Sequence, residues 1–93
     1  MNELTILRLA NNKIYVGKVD DGKCTGKSII VHKNGNLYEG EMLHNKRHGK
    51  GTYVHVNHGW YKGGFENDQK TGYGIEVLYH KNGIKSRNNI HKK

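Results

Sequence analysis

The chain has 93 residues, of which 33% are apolar, so the core that it can bury is thin and a deep enzymatic pocket is not expected. It contains 13 glycines and no proline, a composition typical of a β protein with frequent turns and not of a helical bundle. The formal net charge of +8 predicts attraction to anionic partners without choosing between lipid headgroups, nucleic acid and acidic proteins.

Short strands are predicted wherever apolar or small residues alternate with charged ones, or where β-branched and aromatic residues cluster. In chain order they span residues 4–10, 14–19, 27–32, 37–43, 51–56, 60–66 and 74–79. The pairs Asn11-Asn12, Asn34-Gly35 and Asn82-Gly83 lie between units, where a tight turn with positive φ favours Asn or Gly. Residues 44–48 are polar and are predicted to be a loop. The fold class predicted is all-β, an elongated, twisted antiparallel meander.

A 23-residue repeat organises the strands. Shifting the sequence by 23 superposes Tyr15, Tyr38 and Tyr61. The same shift superposes three further sets, namely Gly17, Gly40 and Gly63; Gly26, Gly49 and Gly72; and Ser28, Gly51 and Gly74, where only the serine departs. Self-similarity at this spacing is the mark of a stacked repeat protein. Each unit is therefore predicted to be one β-hairpin.

The repeated glycines have a predicted structural role. A glycine two residues after the tyrosine shares the face of the tyrosine, and its missing side chain leaves room for an aromatic ring to lie against the backbone. The glycines near the start of each second strand permit strong twist and close approach of neighbouring strands. We therefore expect the core to be a row of rings packed on glycines.

The segments Tyr38-Glu39-Gly40-Glu41-Met42 and Gly49-Lys50-Gly51-Thr52-Tyr53 resemble the MORN (membrane occupation and recognition nexus) repeat. The resemblance covers roughly residues 15–83. It implies antiparallel hairpins in a grooved, twisted sheet that serves protein interaction and self-association, and in some members phosphoinositide binding. The catalytic domains that accompany such repeats in larger proteins would not fit in this chain, so no enzymatic activity is expected.

The chain is predicted to be a single domain of MORN repeats. Its parts are a partial unit over residues 1–14, repeats over 15–37, 38–60 and 61–83, and a basic final strand or tail over 84–93. The sequence departs from the family pattern at Val19, Met42, Ser28 and Glu76. The turn at Asn82-Gly83 also arrives late, which leaves either Ser86 or Ile84 at the next tyrosine position.

Two sets of residues are candidates for binding. The first would line a partner groove and consists of Tyr53, Trp60, Tyr61, Phe65 and Tyr73. The alternative is that these rings belong to the core, which we expect for Tyr61 and Phe65, while Trp60 faces away from Tyr61. The second set would form a strip of cations for an anionic surface and consists of Lys23, Lys27, Lys46, Arg47 and Lys50. The alternative is a solvated loop that keeps the protein dispersed.

Other chemistry finds little support in the sequence. Histidine pairs such as His55 and His58 lack the further cysteine or carboxylate of a tetrahedral set, so neither a metal nor a cofactor is predicted. The lone Cys24 has no neighbouring base that would make it a nucleophile, and it favours a reducing, cytoplasmic location. No spanning segment or lipid anchor is found, so any contact with a membrane or the cytoskeleton would be peripheral.

The leading hypothesis is a scaffold or adaptor that binds a protein partner along its grooved sheet and pairs with itself through open terminal strands. The rival hypothesis is a peripheral module that binds anionic phospholipid or phosphoinositide headgroups through the basic residues. Binding of nucleic acid ranks below both, because repeat packing already uses the aromatic residues. An accessory piece of a longer multidomain chain is a further alternative.

Overall fold

A computed structural model describes the backbone of residues 4–80 and 83–91 and the side chains of residues 4–79. These residues form one antiparallel sheet in which every strand pairs with its neighbours in the sequence, so the predicted meander is confirmed. The eight strands are β1 (Thr5–Leu9), β2 (Lys13–Asp20), β3 (Lys23–Val31), β4 (Leu37–Leu43), β5 (Lys46–His55), β6 (Gly59–Glu66), β7 (Gln69–His80) and β8 (Gly83–His91). The molecule is elongated, with principal extents of 44 × 28 × 23 Å.

In each of the three repeats, the turn between the first and second strands has two residues, both with positive φ. The turns are Asp21-Gly22 (φ 51° and 75°), His44-Asn45 (48° and 70°) and Asn67-Asp68 (50° and 69°). Two positive φ values are typical of type I′ turns, whose twist matches that of the flanking strands. The loop predicted over residues 44–48 is therefore too long, because β5 already begins at Lys46.

A β-bulge follows each of these turns. The register of β2 with β3 shifts between Gly17 and Lys18, and corresponding shifts follow Gly40 in β4 and Gly63 in β6. The bulged residues on the second strands include Gly26, Gly49 and Gly72, at φ values of 77°, 70° and 66°. Glycine adopts this left-handed conformation without strain. Strand pairing continues past the bulge as far as the turn, so β3, β5 and β7 begin earlier than the sequence predicted.

The three repeated tyrosines are the most deeply buried large side chains, with 0%, 0% and 2% of Tyr15, Tyr38 and Tyr61 exposed. Each hydroxyl donates to the backbone carbonyl three residues further along, Lys18 at 2.5 Å, Glu41 at 2.6 Å and Gly64 at 3.0 Å. These carbonyls lie at the bulges, where the regular ladder is interrupted. The tyrosine therefore fills the core and satisfies a backbone group that the bulge sets free.

Glycines make room for these rings. A Cβ on Gly51 would lie 2.5 Å from the ring of Tyr38, and one on Gly40 would lie 2.6 Å from the hydroxyl of the same residue. In the first repeat Ser28 stands at the position of Gly51, and its hydroxyl donates to the hydroxyl of Tyr15 at 3.0 Å. The predicted packing of rings on glycines is confirmed, with a hydrogen bond where serine replaces glycine.

The core lies on one side of the sheet, which we call the tyrosine face. Besides the three tyrosines it contains Cys24, Ile30, Met42 and Phe65. The ring of Phe65 meets Tyr38 and Tyr61 edge-on, with both pairs of ring centroids 5.3 Å apart. Such edge-to-face contacts stabilise aromatic pairs beyond the area that they bury, so Phe65 joins the second repeat to the third.

Successive repeats are also joined at their hairpin turns. Asn45 accepts the backbone N–H of Cys24 through Oδ1 at 2.7 Å, and its own N–H donates to the Cys24 carbonyl at 3.0 Å. Asp68 makes the same two bonds with Arg47, at 2.7 and 3.1 Å. In both pairs the two partners are 21 residues apart in sequence. The same two hydrogen bonds therefore join the first hairpin to the second and the second to the third.

The last strand departs from the repeat. Tyr61 lies opposite Tyr53 in the pairing of β5 with β6, and Glu76 occupies the position of Tyr53 in β7. Arg87 lies opposite Glu76. Arg87 therefore occupies the position equivalent to Tyr61, because β7 continues to His80 before the chain returns. The prediction that Ser86 or Ile84 takes this position is wrong. A turn was predicted at Asn82-Gly83. Asn82 lies outside the described residues, and Gly83 is the first residue of β8.

Candidate functional site

The side of the sheet opposite the tyrosines is hollow, and we call it the groove face. It holds a groove of about 1150 Å³ that reaches from Leu4, beside β1, to Ile75 in β7. The protein's own rings occupy most of the tyrosine face, whereas nothing among the described residues fills this groove. The side chains that line it are Leu4, Val16, Lys27, Ile29, Glu39, Glu41, Lys50, Thr52, Lys62, Tyr73 and Ile75.

One wall of the groove is built by the residues that follow the bulge glycines. Lys27, Lys50 and Tyr73 each come directly after a glycine with positive φ, at 23-residue intervals. All three are exposed, and Tyr73 retains 79% of its accessible surface. The bulge thus presents the same sequence position from each repeat to solvent, two lysines followed by a tyrosine.

The floor of the groove mixes apolar and charged groups. Ile29 and Ile75 are 40% and 47% exposed, and Val16 lies directly opposite Ile29 on the neighbouring strand. Glu41 lies opposite Lys27 across β3 and β4, so carboxylates and ammonium groups alternate along the groove. This arrangement suits a partner with apolar side chains and charges of both signs better than a uniformly anionic one.

A second apolar row runs beside the groove on the same face. Ile14, Val31, Leu37, Val54, Trp60 and Val77 lie opposite one another on six successive strands. The row is half-exposed at Ile14 (36%) and Val31 (37%) and is buried at Val77 (8%). Trp60 is half-buried within it, so the largest ring of the groove face already packs against its own sheet.

The candidate partner-groove residues are divided between the two faces. Tyr61 and Phe65 are 2% exposed in the core, so their rings are not available to a partner in this structure. Tyr53 is half-buried at the edge of the same core. Trp60 and Tyr73 lie on the groove face, and Tyr73 alone of the five lines the groove. A binding role for any of them stays a prediction.

The candidate anion-binding residues lie in strands and not in loops, with Lys23 and Lys27 in β3 and the others in β5. The Arg47 guanidinium packs against aromatic rings of the tyrosine face, since its Cζ lies 5.1 Å from the ring centroid of Phe65 and 5.3 Å from that of Tyr53. Its Nε also lies 3.3 Å from Oδ1 of Asp68. Lys27 and Lys50 share the groove, while Lys23 and Lys46 are exposed beside the hairpin turns.

A smaller cleft of about 490 Å³ lies on the tyrosine face, near Leu7, Leu9, Lys13, His32 and Tyr53. Burial lowers the pKa of His32, and the positive charges of Lys13 and Arg47 and the nearby His55 lower it further. Sequence reasoning did not select Lys13 or His32 as candidates, although His32 recurs 23 residues later as His55. The lysines after the bulge glycines do repeat, and that period was the signal that could have identified the groove wall.

The remaining candidate chemistry is accounted for by the fold. Burial raises the pKa of the Cys24 thiol, which is 6% exposed. No three His, Cys, Asp or Glu side chains within residues 4–79 are grouped closely enough to hold a metal ion. The part of the chain that the structure describes contains no helix long and apolar enough to cross a membrane.

The fold and its repeated contacts define a class of protein, an open β-meander of 23-residue hairpin repeats with tyrosines packed on glycines. The family model of the MORN repeat matches residues 38–60 and 61–79. The chain therefore contains MORN repeats over these residues, and its first hairpin makes the same tyrosine-to-carbonyl bond at Tyr15. MORN repeats are a non-catalytic repeat type that mediates protein and membrane interactions. A search of curated proteins found no significant match.

Proposed function

We propose that this protein is a non-catalytic, cytoplasmic scaffold or adaptor that binds a protein partner along the groove face and also associates with itself. The observation that carries the proposal is the groove of about 1150 Å³ with Tyr73 exposed in its wall. An exposed aromatic side chain beside exposed apolar side chains is typical of interaction surfaces. The buried core of tyrosines lies on the opposite face of the sheet, apart from this groove.

The lining of the groove restricts the partner's chemistry. Apolar side chains would cover Ile29 and Ile75, and acidic side chains would meet Lys27 and Lys50. Lys27 lies in β3 and Lys50 in β5, two strands away, and this separation is about 10 Å in a regular sheet. Glu39 and Glu41 would repel a partner that is acidic throughout. We therefore propose a peptide segment with apolar residues and dispersed acidic ones.

Site-specific photo-crosslinking in cells tests the groove. A photoreactive amino acid in place of Tyr73 should capture a protein that the same group in place of Leu43 does not. Leu43 is 42% exposed and precedes the middle hairpin turn, outside the groove lining. Adding Ile75→Lys should remove the adduct at position 73. Equal capture at both positions, or capture unaffected by Ile75→Lys, would contradict a role for the groove.

A second candidate function is supported by the net charge of +8 and by the exposure of Lys23, Lys27, Lys46 and Lys50. Each lysine near an anionic leaflet contributes about 1 kcal/mol of attraction. This proposal predicts salt-sensitive flotation with vesicles that contain phosphatidylserine or a phosphoinositide, lost in Lys27→Glu/Lys50→Glu. Flotation that persists in this variant, or with neutral vesicles, would contradict it.

A further inference from the structure

The two edges of the described sheet differ in chemistry. The edge strand β1 has the sequence Thr-Ile-Leu-Arg-Leu, with one charge in five residues. The opposite edge strand β8 contains Lys85, Arg87 and His91. Lysine and other charged residues on an edge strand discourage pairing with another chain, whereas an apolar edge with unpaired backbone groups invites it. Strand β8 carries two formal charges, whereas strand β1 carries one.

One position of the repeat is more exposed in β1 than in strands that have a neighbour on both sides. Ile6, Ile29 and Ile75 occupy the same position of the repeat on the groove face, at spacings of 23 and 46 residues. Ile29 and Ile75 lie in strands with a neighbour on both sides and are 40% and 47% exposed, whereas Ile6 is 73% exposed. Leu4, just before β1, is 71% exposed. The excess exposure is the surface that one further strand would cover.

We propose that this further strand is β1 of a second copy, paired antiparallel about a two-fold axis at Leu7 to give a dimer with one continuous sheet. The proposal deepens the self-association in the proposed function by naming its surface and symmetry. Twofold pairing uses the same patch on both copies and closes at two subunits. With the axis perpendicular to the sheet, each tyrosine face continues into that of its partner.

The register follows from the residues of β1. With Leu7 opposite its own copy, Thr5 lies opposite Leu9 and Ile6 lies opposite Arg8. The register keeps the two Arg8 side chains from facing each other directly, and like charges directly opposite are destabilising. Leu7 and Leu9 already pack against the core from the tyrosine face. Their counterparts in the second copy would extend that core across the axis.

Charge favours β1 over β8 as the partner strand. Each copy carries +8, so the copies repel at long range, and the contact should use the least charged edge. Pairing β1 with β8 would bring Arg8 near a strand that contains Lys85 and Arg87, and it would give open filaments in place of closed dimers. Added salt should therefore tighten the β1 dimer, since it screens the remaining repulsion.

Light scattering coupled to size exclusion tests the dimer. The full chain should approach twice its 10.6 kDa mass as its concentration rises. Ile6→Lys should weaken association by at least about tenfold, or 1.4 kcal/mol, because it removes apolar cover and places a lysine opposite each Arg8. Leu43→Lys, which adds the same charge at an exposed apolar residue outside both β1 and the groove lining, should leave association unchanged. Circular dichroism would confirm that both variants fold.

Cysteine crosslinking tests the register in a Cys24→Ala background. Leu7→Cys should form an intermolecular disulfide under mild oxidation, because two copies of residue 7 face each other. Thr5→Cys should not, because residue 5 lies opposite residue 9. A monomer at every concentration, a dimer insensitive to Ile6→Lys, assemblies larger than dimers, or crosslinking at residue 5 in place of 7 would overturn the proposal. Photo-crosslinking at Tyr73 is a separate measurement, so failure of the dimer leaves the proposed partner binding testable on its own.

Discussion

The ring of Tyr38 packs directly on Gly51, the residue of the next strand that lies opposite Gly40. A Cβ on Gly51 would come within 2.5 Å of both the ring edge and the hydroxyl oxygen. The three atoms nearest to that Cβ all belong to Tyr38, so this one contact decides which residue position 51 tolerates. The repeat therefore encodes a steric pair, a tyrosine and a glycine, and not only a pattern of turns.

Gly51→Ala should lower the free energy of unfolding by about 1–3 kcal/mol, the usual cost of an added methyl group in a filled core. Urea unfolding followed by circular dichroism measures the change. The cost should shrink in a Tyr38→Ala background, because the ring that meets the new methyl group is gone. Strictly additive effects of the two substitutions would show that the contact is not the cause.

Tyr38→Phe isolates the hydroxyl. This variant keeps the ring but removes the hydrogen bond to the Glu41 carbonyl, so it should cost about 1 kcal/mol of stability. Tyr73→Phe is the matched control, because the Tyr73 side chain is 79% exposed, and we expect no measurable loss. The prediction fails if both variants lose equal stability in the same urea titration.

Asp68→Asn and Asp68→Ala separate a hydrogen bond from an ion pair. Asn45 makes the equivalent joint without a charge, so Asp68→Asn should retain most of the stability. Asp68→Ala leaves the Arg47 backbone N–H without its side-chain acceptor and should cost about 1 kcal/mol. The Asp68 side chain is 47% exposed, and exposed ion pairs contribute little. A loss in Asp68→Asn as large as that in Asp68→Ala would assign the effect to charge.

The fold was predictable because the period is written in residues with strong steric requirements. The spacing of Tyr15, Tyr38 and Tyr61 and the glycines two positions later place a ring and its space in each hairpin. Strand boundaries were less predictable, because Gly26 and Gly49 are in segments whose composition is typical of loops. Both glycines in fact lie inside bulged strands. In sequence, a two-residue turn followed by a bulge resembles a single longer polar loop.

The candidate site was predictable only in part. Strand alternation placed Trp60 on the opposite face from Tyr61, as the structure has it. The five candidate rings do not share one groove, because neighbours in the sequence alternate between faces and Phe65 completes the core. Arg87 lies eleven residues after Glu76, whereas Tyr61 lies eight residues after Tyr53. The late turn was visible in the sequence, but the lengthening of both strands beside it was not.

His32 should make the protein less stable in mild acid. Burial of the ring, followed by the positive charges of Lys13 and Arg47 and the neighbouring His55, lowers its pKa below the usual 6.5. The native state therefore binds this proton more weakly than the unfolded chain does. The stability that neutral His32 contributes is present above pH 6.5 and is lost as the pH falls through the lower native pKa.

Urea titrations at a series of pH values below 6.5 measure this loss. His32→Gln keeps a polar side chain that does not titrate, so its stability should fall less steeply with decreasing pH than that of the unmodified protein. His48→Gln removes an exposed histidine on β5 and controls for the loss of any one imidazole. Parallel pH profiles for His32→Gln and the unmodified protein would mean that the ring is protonated as readily in the folded state as in the unfolded one.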